Sequence, residues 1–420
     1  MTRDPIAEIV AYNKPLTEAS HRVAPLEGPG DLTAQALRRK LDALAGTPFK
    51  FFRGTFHLMC WDLFKERVAG APASAPEGLI VGDLHLENFG VYRGASGELV
   101  FDVNDFDDVG FGPLDLDLKR LCTSALLLPG LAHGVRLSAA KTIARAWQEG
   151  LLRLGGRFPI SAWTKEKAEG RVAELLSESG RKTRELMIAK AAPEKGHGKL
   201  VQGERFVRPA KQWAEIVQQA MSEYLQSLKQ LKAPDPPRDW EILDVAYRFK
   251  GTGSLGRLRF TVLLGHDGQR RAVELKEARS CAMDDARGIP PLRDRARVQT
   301  ASIRRLQGDP WPRVAATRFG KLPALGRENE PEEEKVECEK FPRADEQHDE
   351  LTAYARQCGE VLARLHARVN APMLLGAHWD VEQAARAAVA FAERYAAQVE
   401  ADQKAFVKAK ELVLKDLGLL

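Results

Sequence analysis

Apolar positions along this chain follow two periods, and the switch between them lays out the elements. In LTAQALRRKLDALAG, behind Asp31 as a cap and closed by Gly46, they fall three and four apart and predict an amphipathic helix. Helical spacing continues over 136–155, 161–180 and 208–231, and again over 348–369 and the Ala-rich 380–418. Asp115 and Asp117 open a further helix through LKRLCTSALLL, where acidic residues suit both capping and the macrodipole. Alternation replaces this pattern after the Pro-rich APDPPRD (233–239), which blocks both helix and central strand. There DVAYRFKGTGSLGRLRFTVLLG reads as strand, Gly-rich turn and strand. A turn at His266-Asp267-Gly268 and the strand RRAVELKEA follow. A helix over 292–307 and a strand in KVECEKF (335–341) complete this region, while residues 1–30 read as an irregular arm. The fold class is therefore α+β, in three segments: a helical 1–235, a β-rich 236–345 and a helical 346–420.

Composition narrows the classes without choosing among them. With 29% charged and 44% apolar residues, 420 residues make a globular chain with a substantial core. A net charge of +5 is small for this length and gives no reason to expect nucleic acid. Five scattered cysteines, with no CxxC pair, favour a reducing compartment over a zinc site or a disulfide framework. MTRDPIAEIV lacks the apolar core of a signal peptide and no stretch reaches spanning length, so a cytoplasmic protein without membrane contact is expected.

The chemistry concentrates in VGDLHLENFG, VYRGASGELV and FDVNDFDDVGFGPLDLDLKR, residues 81–120. Asp83 stands five residues before Asn88. A hairpin from Phe89–Tyr92 through Ala95-Ser96-Gly97 to Leu99–Phe101 then brings Asp102 back near Asn88. One carboxylate to orient a hydroxyl, with a carboxamide and a second carboxylate on magnesium, suits phosphoryl transfer, because magnesium needs few protein ligands. Asp105 and Asp107 rival Asp102 as the metal ligand. GTGSLG (251–256) fits G-x-G-x-x-G, but an alternating strand follows it where a dinucleotide fold needs a helix. Gly251, Gly253, Ser254 and Gly256 instead let backbone N–H groups approach phosphates, and Lys276 on the third strand would reach the same phosphates. Arg53, in PFKFFRG, is either a packing charge or a further phosphate neighbour. The basic stretch 181–209 is a solvated run or a rim attracting an anionic substrate.

D-x-x-x-x-N, a hairpin and then Asp resemble the catalytic and metal loops of the protein-kinase-like superfamily, and DLHLEN looks closest to its aminoglycoside and choline kinase branch. GPLDLDLKR resembles the segment following the metal Asp there, and LARLHA resembles the helix preceding the Asp-Leu-His loop. The resemblance implies a two-lobed fold, with a large helical lobe and a small antiparallel β lobe, in circularly permuted order. It implies an ATP- and magnesium-dependent phosphotransferase acting on a small-molecule hydroxyl, with a protein acceptor as the alternative. Asp83 would act on the hydroxyl, Asn88 with Asp102, whose interval from Asn88 is nearest the kinase spacing, would hold magnesium with Asp105 as a rival, and Lys276 with 251–256 would hold phosphates. The helix at 292–307 departs from the pattern: it carries no Glu to pair with Lys276, leaving Asp294, Gln299, Glu277 and Asp284 as candidates. That departure keeps open an inactive or AMP-transferring nucleotide-binding protein. Asp83-Leu84-His85 also resembles the opening of calcineurin-like phosphoesterases, whose later motifs are missing. Over nearly its whole length the chain resembles a bacterial family known only as domain of unknown function 2252. PFKFFRG, GDLHLENFG, FDVNDFDD, GTGSLG with VELKEA, and AYARQCGEVLARLHAR carry that resemblance, and it implies no reaction.

Overall fold

The computed structural model describes residues 3–28, 30–65, 75–154, 159–193, 198–235, 239–338, 341, 348–376 and 379–420. Where an irregular arm was expected, α1 (Pro5–Asn13) forms. Asp4 accepts from the N–H groups of Ile6 and Ala7, and Pro5 takes the first position, where its missing N–H costs nothing. Asp31 caps α2 (Leu32–Gly46) as the sequence indicates, and the aromatic run after it folds into α3 (Pro48–Gly54) and α4 (Phe56–Phe64). Strand β1 (Glu77–Ile80) leads into the loop 81–88. The expected hairpin of β2 (Phe89–Arg93) and β3 (Leu99–Val103) follows, and β4 (Gly110–Pro113) returns antiparallel to β1.

Helices α5 (Asp115–Leu126) and α6 (His133–Leu154) fall where periodicity placed them. The helix expected over 161–180 shrinks to α7 (Gly170–Ser179), because Trp163 pairs by a β-bridge with Phe101 and its indole N–H donates to Gln357. The basic stretch is more ordered than a solvated run, holding α8 (Arg184–Ala191) and β5 (Phe206–Val207), and α9 (Lys211–Gln230) follows. Three strands then meander: β6 (Glu241–Arg248), β7 (Arg259–His266) and β8 (Gln269–Glu277). Beyond α10 (Ala282–Ala286) and α11 (Arg295–Leu306), a second hairpin unread in the sequence joins β9 (Val314–Phe319) to β10 (Leu322–Glu328). The sheet order is β5-β6-β7-β8-β10-β9, antiparallel throughout. The strand expected over 335–341 is reduced to β11 (Glu334–Lys335), which joins β2 instead of the large sheet; residues 339–340 lie outside the described residues. Two long helices, α12 (His348–Gly376) and α13 (Val381–Asp416), close the chain.

Two main cores result, in a mixed α+β fold. The helical core packs α12 against α6 so closely that a Cβ on Gly359 would stand 2.4 Å from the Ile143 carbonyl oxygen. The second core lies between α9 and one face of the large sheet, where Trp213, Val217, Met221 and Tyr224 meet Phe260, Val262, Val273 and Leu275. Helix α9 thus belongs with the sheet, and the chain boundary near 235 does not separate the cores. Strand alternation turns the other face of the sheet, with Arg259, Thr261, Glu274 and Lys276, toward a large cavity. Among the described residues no helix is long and apolar enough to cross a membrane, and all five cysteines are buried and free.

Candidate functional site

The cavity encloses about 1160 Å³ and is lined by Asp83, Asn88, Asp105 and Asp107 below and by Lys276 and the glycine loop above. Its floor is the loop 81–88, and one buried carboxylate sets the path of that loop. Asp117, on the first turn of α5, accepts from the N–H groups of Val81 and Gly82, each at 2.8 Å. Trp147 donates to His366 Nδ1 (3.1 Å), which leaves the proton on Nε2 to be donated to Asp117 (3.2 Å). Asp115, two residues earlier, pairs within its own helix with Lys119 at 2.7 Å. Gly82 is required at its position: its φ is +88° and a Cβ would lie 2.3 Å from the Asp108 carbonyl oxygen.

Asp83 projects from this anchored loop and is gripped by Arg120, Nε at 2.7 Å and Nη2 at 2.5 Å. Arg120 is itself fully buried, stacked over Phe52 and Phe56 and donating to the Phe52 carbonyl. Burial pushes the Asp83 carboxyl up to about 6 although Arg120 pulls it down. Asn88 closes a short turn: its Oδ1 accepts from the His85 N–H at 2.8 Å, and its backbone carbonyl accepts from Asn104. His85 is occupied by that turn and by Arg53, accepting at Nδ1 from Glu87 N–H with Arg53 Nε 3.3 Å from Nε2. Glu87 ties three elements together, bound by Arg53 of α3, Lys335 and the Cys338 N–H. Arg53 thus reaches the cavity wall as part of that cluster.

The three candidate metal carboxylates separate. Asp102 points away from the cavity: it is 3% exposed and accepts from the N–H groups of Val103 and Gly308, so it fixes the β3 end to the segment after α11. Strand alternation explains this, since Asp102 lies opposite Gly90 inside the small sheet while the chain leaves the sheet only after Val103. Asp105 is exposed and opens onto the cavity, and the surrounding protein together with the neighbouring Asp107 raises its carboxyl. Asp107 forms an ion pair with Lys276, with Arg257 Nη1 at 3.4 Å. Burial would raise Asp107, but Lys276, Arg257 and Arg259 outweigh it and hold the carboxyl well below the usual range.

Asp107 is thus the acidic partner that α11 does not supply. Glu277, another candidate, faces His21 at 2.9 Å and the Leu258 N–H. Helix α11 instead holds the backbone of the acidic loop. Gln299 donates to the Phe106 carbonyl, Arg295 to that of Asp107, and Gln307, just beyond the helix, to that of Val103. On the roof, Gly251, Gly253 and Ser254 line the cavity, and a Cβ on Gly253 would meet the Arg53 carbonyl oxygen at 3.0 Å. Gly256 does not line it and packs on Leu16 and Leu37.

A family model described as "uncharacterized protein conserved in bacteria (DUF2252)" matches residues 32–409. The chain belongs to that family. No curated protein and no solved structure matches it. In this DUF2252 chain the matched region includes every cavity residue named above. Sequence reasoning missed Asp117, His366, Arg120 and Glu87. Asp117 reads as an ordinary helix-start acid, and only the fold brings His366 to it from 249 positions away.

Whether the residues fit a magnesium-bound nucleotide can be tested on their remaining valences. Asn88 Oδ1 uses one lone pair on His85 and keeps the other, and the Asp105 carboxylate faces the cavity. Among the described residues no group of three or more His, Cys, Asp or Glu is placed to hold a metal by itself. A magnesium ion carried by phosphate and water needs only one or two protein ligands, a number that Asn88 and Asp105 could supply. The residues fit.

Proposed function

We propose that this protein is an ATP- and magnesium-dependent phosphotransferase acting on a hydroxyl of a small molecule, built on a kinase-like fold in circularly permuted order. The observation that carries this reading is the meeting, in one cavity, of an acidic loop from the first third of the chain with Lys276 beneath a glycine-rich hairpin. Permutation is favoured by the LARLHA segment of α12, which supports the loop 81–88 through His366 although it follows it by more than 250 residues.

Asp83 takes the acceptor proton or orients the hydroxyl, and a carboxyl raised to about 6 is poised for that near neutrality. Arg120 fixes its rotamer. Asn88 and Asp105 would hold the magnesium, which when bound neutralises charge on the phosphates. Lys276 and the N–H groups of 251–254 bind the phosphates, so Lys276 exchanges Asp107 for phosphate when nucleotide enters. Positioning and charge stabilisation supply most of the rate. Asp107 sitting on Lys276 also favours a second reading, a nucleotide-binding protein without transfer.

Asp83→Asn tests the assignment. With terminally labelled ATP and a pool of hydroxylated metabolites, transfer should vanish while nucleotide affinity stays within about twofold. Lost affinity with turnover intact would overturn the role of Asp83. ATP binding without transfer to any acceptor by the unaltered protein would establish the second reading.

A further inference from the structure

The roof of the cavity is not the surface a simple phosphate site requires. Register sets Arg259 opposite Lys276 and Lys276 opposite Leu325, with Arg248 ending β6 one residue past the Tyr247–Phe260 pair. The next row away from the glycine loop is Ala246, Thr261, Glu274 and Arg327, side by side on β6, β7, β8 and β10. One row further, Leu263 and Ala272 are covered by Ile188, Ala192 and Leu200. The roof therefore grades from cationic through mixed polar to apolar and closed.

The middle of that gradient is buried and under-partnered. Thr261 is 1% exposed and Arg259 and Glu274 are each 6% exposed, yet Thr261 Oγ1, Arg259 Nε and Glu274 Oε2 have no hydrogen-bond partner. Arg248 Nη1 lies 2.9 Å from Glu274 Oε2 without the alignment of a hydrogen bond. Arg259 Nε lies 3.8 Å from the same oxygen, so Glu274 is ion-paired, and Thr261 Oγ1 is the buried atom of this patch left without a partner, at a cost of about 1–3 kcal/mol. Cations gather there: Arg248, Lys250, Arg259 and Arg327 line this part of the wall, Arg248 and Arg259 facing Glu274 and Arg327 facing Glu333 at 2.8 Å. Lys250 is exposed on this wall, and the protein around it, with Arg248 and Arg259 nearby, lowers its ammonium to about 8 against the pull of Glu333 and Glu274.

We propose that this roof is a binding subsite for a phosphate ester that also carries hydroxyl groups. Arg248, Lys250 and Arg327 receive the phosphate, while Thr261 and Glu274 receive the hydroxyls. Arg259 holds the loop through the Lys250 carbonyl at 2.8 Å, with its Nε turned to Glu274 at 3.8 Å. The inference rests on the phosphotransferase reading for the placement of the reacting groups below. The same chemistry has two sources, the ribose phosphate of the nucleotide or a phosphorylated acceptor.

Calorimetric titration of the full chain with ribose 5-phosphate, without magnesium, tests it. Arg248→Gln should weaken binding about tenfold and Thr261→Val about fivefold. Thr261→Val should melt no lower than the unaltered protein, because it removes a hydroxyl that has no partner to lose. Absence of ribose 5-phosphate binding, or equal affinity in both variants and the parent, overturns the subsite. Adding ADP separates the sources: displacement assigns the roof to the nucleotide, and simultaneous binding assigns it to a second, phosphorylated substrate, each supporting the proposal. No turnover enters the titration, so loss of transfer in Asp83→Asn with ribose 5-phosphate still bound leaves the subsite standing. Transfer that persists with no roof binding sinks the subsite alone.

Discussion

Replacing Asp117 by Ala should be among the most damaging single changes in the helical core. Asp117 is fully buried, and its two oxygens accept the Val81 and Gly82 N–H groups, each at 2.8 Å, while His366 donates to one of them. Alanine leaves two backbone donors and one imidazole donor in a closed core without the acceptor that satisfied them. At about 1–3 kcal/mol for each of the three orphaned groups, the loss should be about 3–9 kcal/mol, a large part of the stability of an ordinary domain. Asp115→Ala is the control. It removes a pair made within one helix to Lys119, leaves no backbone donor of the loop 81–88 unpaired, and should leave the Val81 and Gly82 amides protected. Urea unfolding at fixed temperature measures both, and hydrogen exchange at the Val81 and Gly82 amides reports the loop directly. Asp117→Asn keeps one acceptor and should fall between the two. Equal losses for Asp115→Ala and Asp117→Ala, with the two amides still protected, would mean that Asp117 serves only its helix terminus.

Three further outcomes follow from the same geometry. Asp105→Asn should abolish magnesium-dependent strengthening of ATP binding, whereas Asp102→Asn should leave it intact and lower the melting temperature; isothermal titration and calorimetric melting separate them. Because burial raises Asp83 to about 6 and the base must be ionised, transfer should be slow at pH 5 and climb to a plateau above pH 7, which a pH–rate profile checks. A flat profile over that range would remove Asp83 as the base. Gly359→Ala pushes a methyl against the Ile143 carbonyl at 2.4 Å, and should cost about 1–3 kcal/mol in urea unfolding as α6 and α12 are forced apart.

Period and punctuation made much of the fold legible. Asp31 and Gly46 bound α2, the Gly-rich turn between two alternating runs became the β6–β7 hairpin, and the long periodic helix at 348 became α12. The irregular arm failed because the Asp4-Pro5 capping signal is brief and lies in a polar stretch. The hairpin of β9 and β10 went unread because VAATRFGKLPALGRE mixes small and charged residues on a sheet with one face packed and the other lining a cavity. Spacing from Asn88 favours Asp102 over Asp105 for the metal, but a strand must end before its next residues can swing into a cleft. Asp102 is still inside the ladder, whereas Asp105 is beyond it. The partner of Lys276 could not be read from its own helix, since Asp107 lies 169 positions earlier.

The seam between α1, α2, α5 and α13 has a consequence for biosynthesis. All twelve residues of α5 are buried, and much of that cover comes from α13, which leaves the ribosome some 265 residues later. Arg3 waits for Asp402, and Lys14 for the Asp416 carbonyl. Throughout most of translation, then, the polypeptide presents leucines of its future centre to the surroundings, a state prone to sticking and dependent on chaperones. Its slowest native contacts join its first helix to its last.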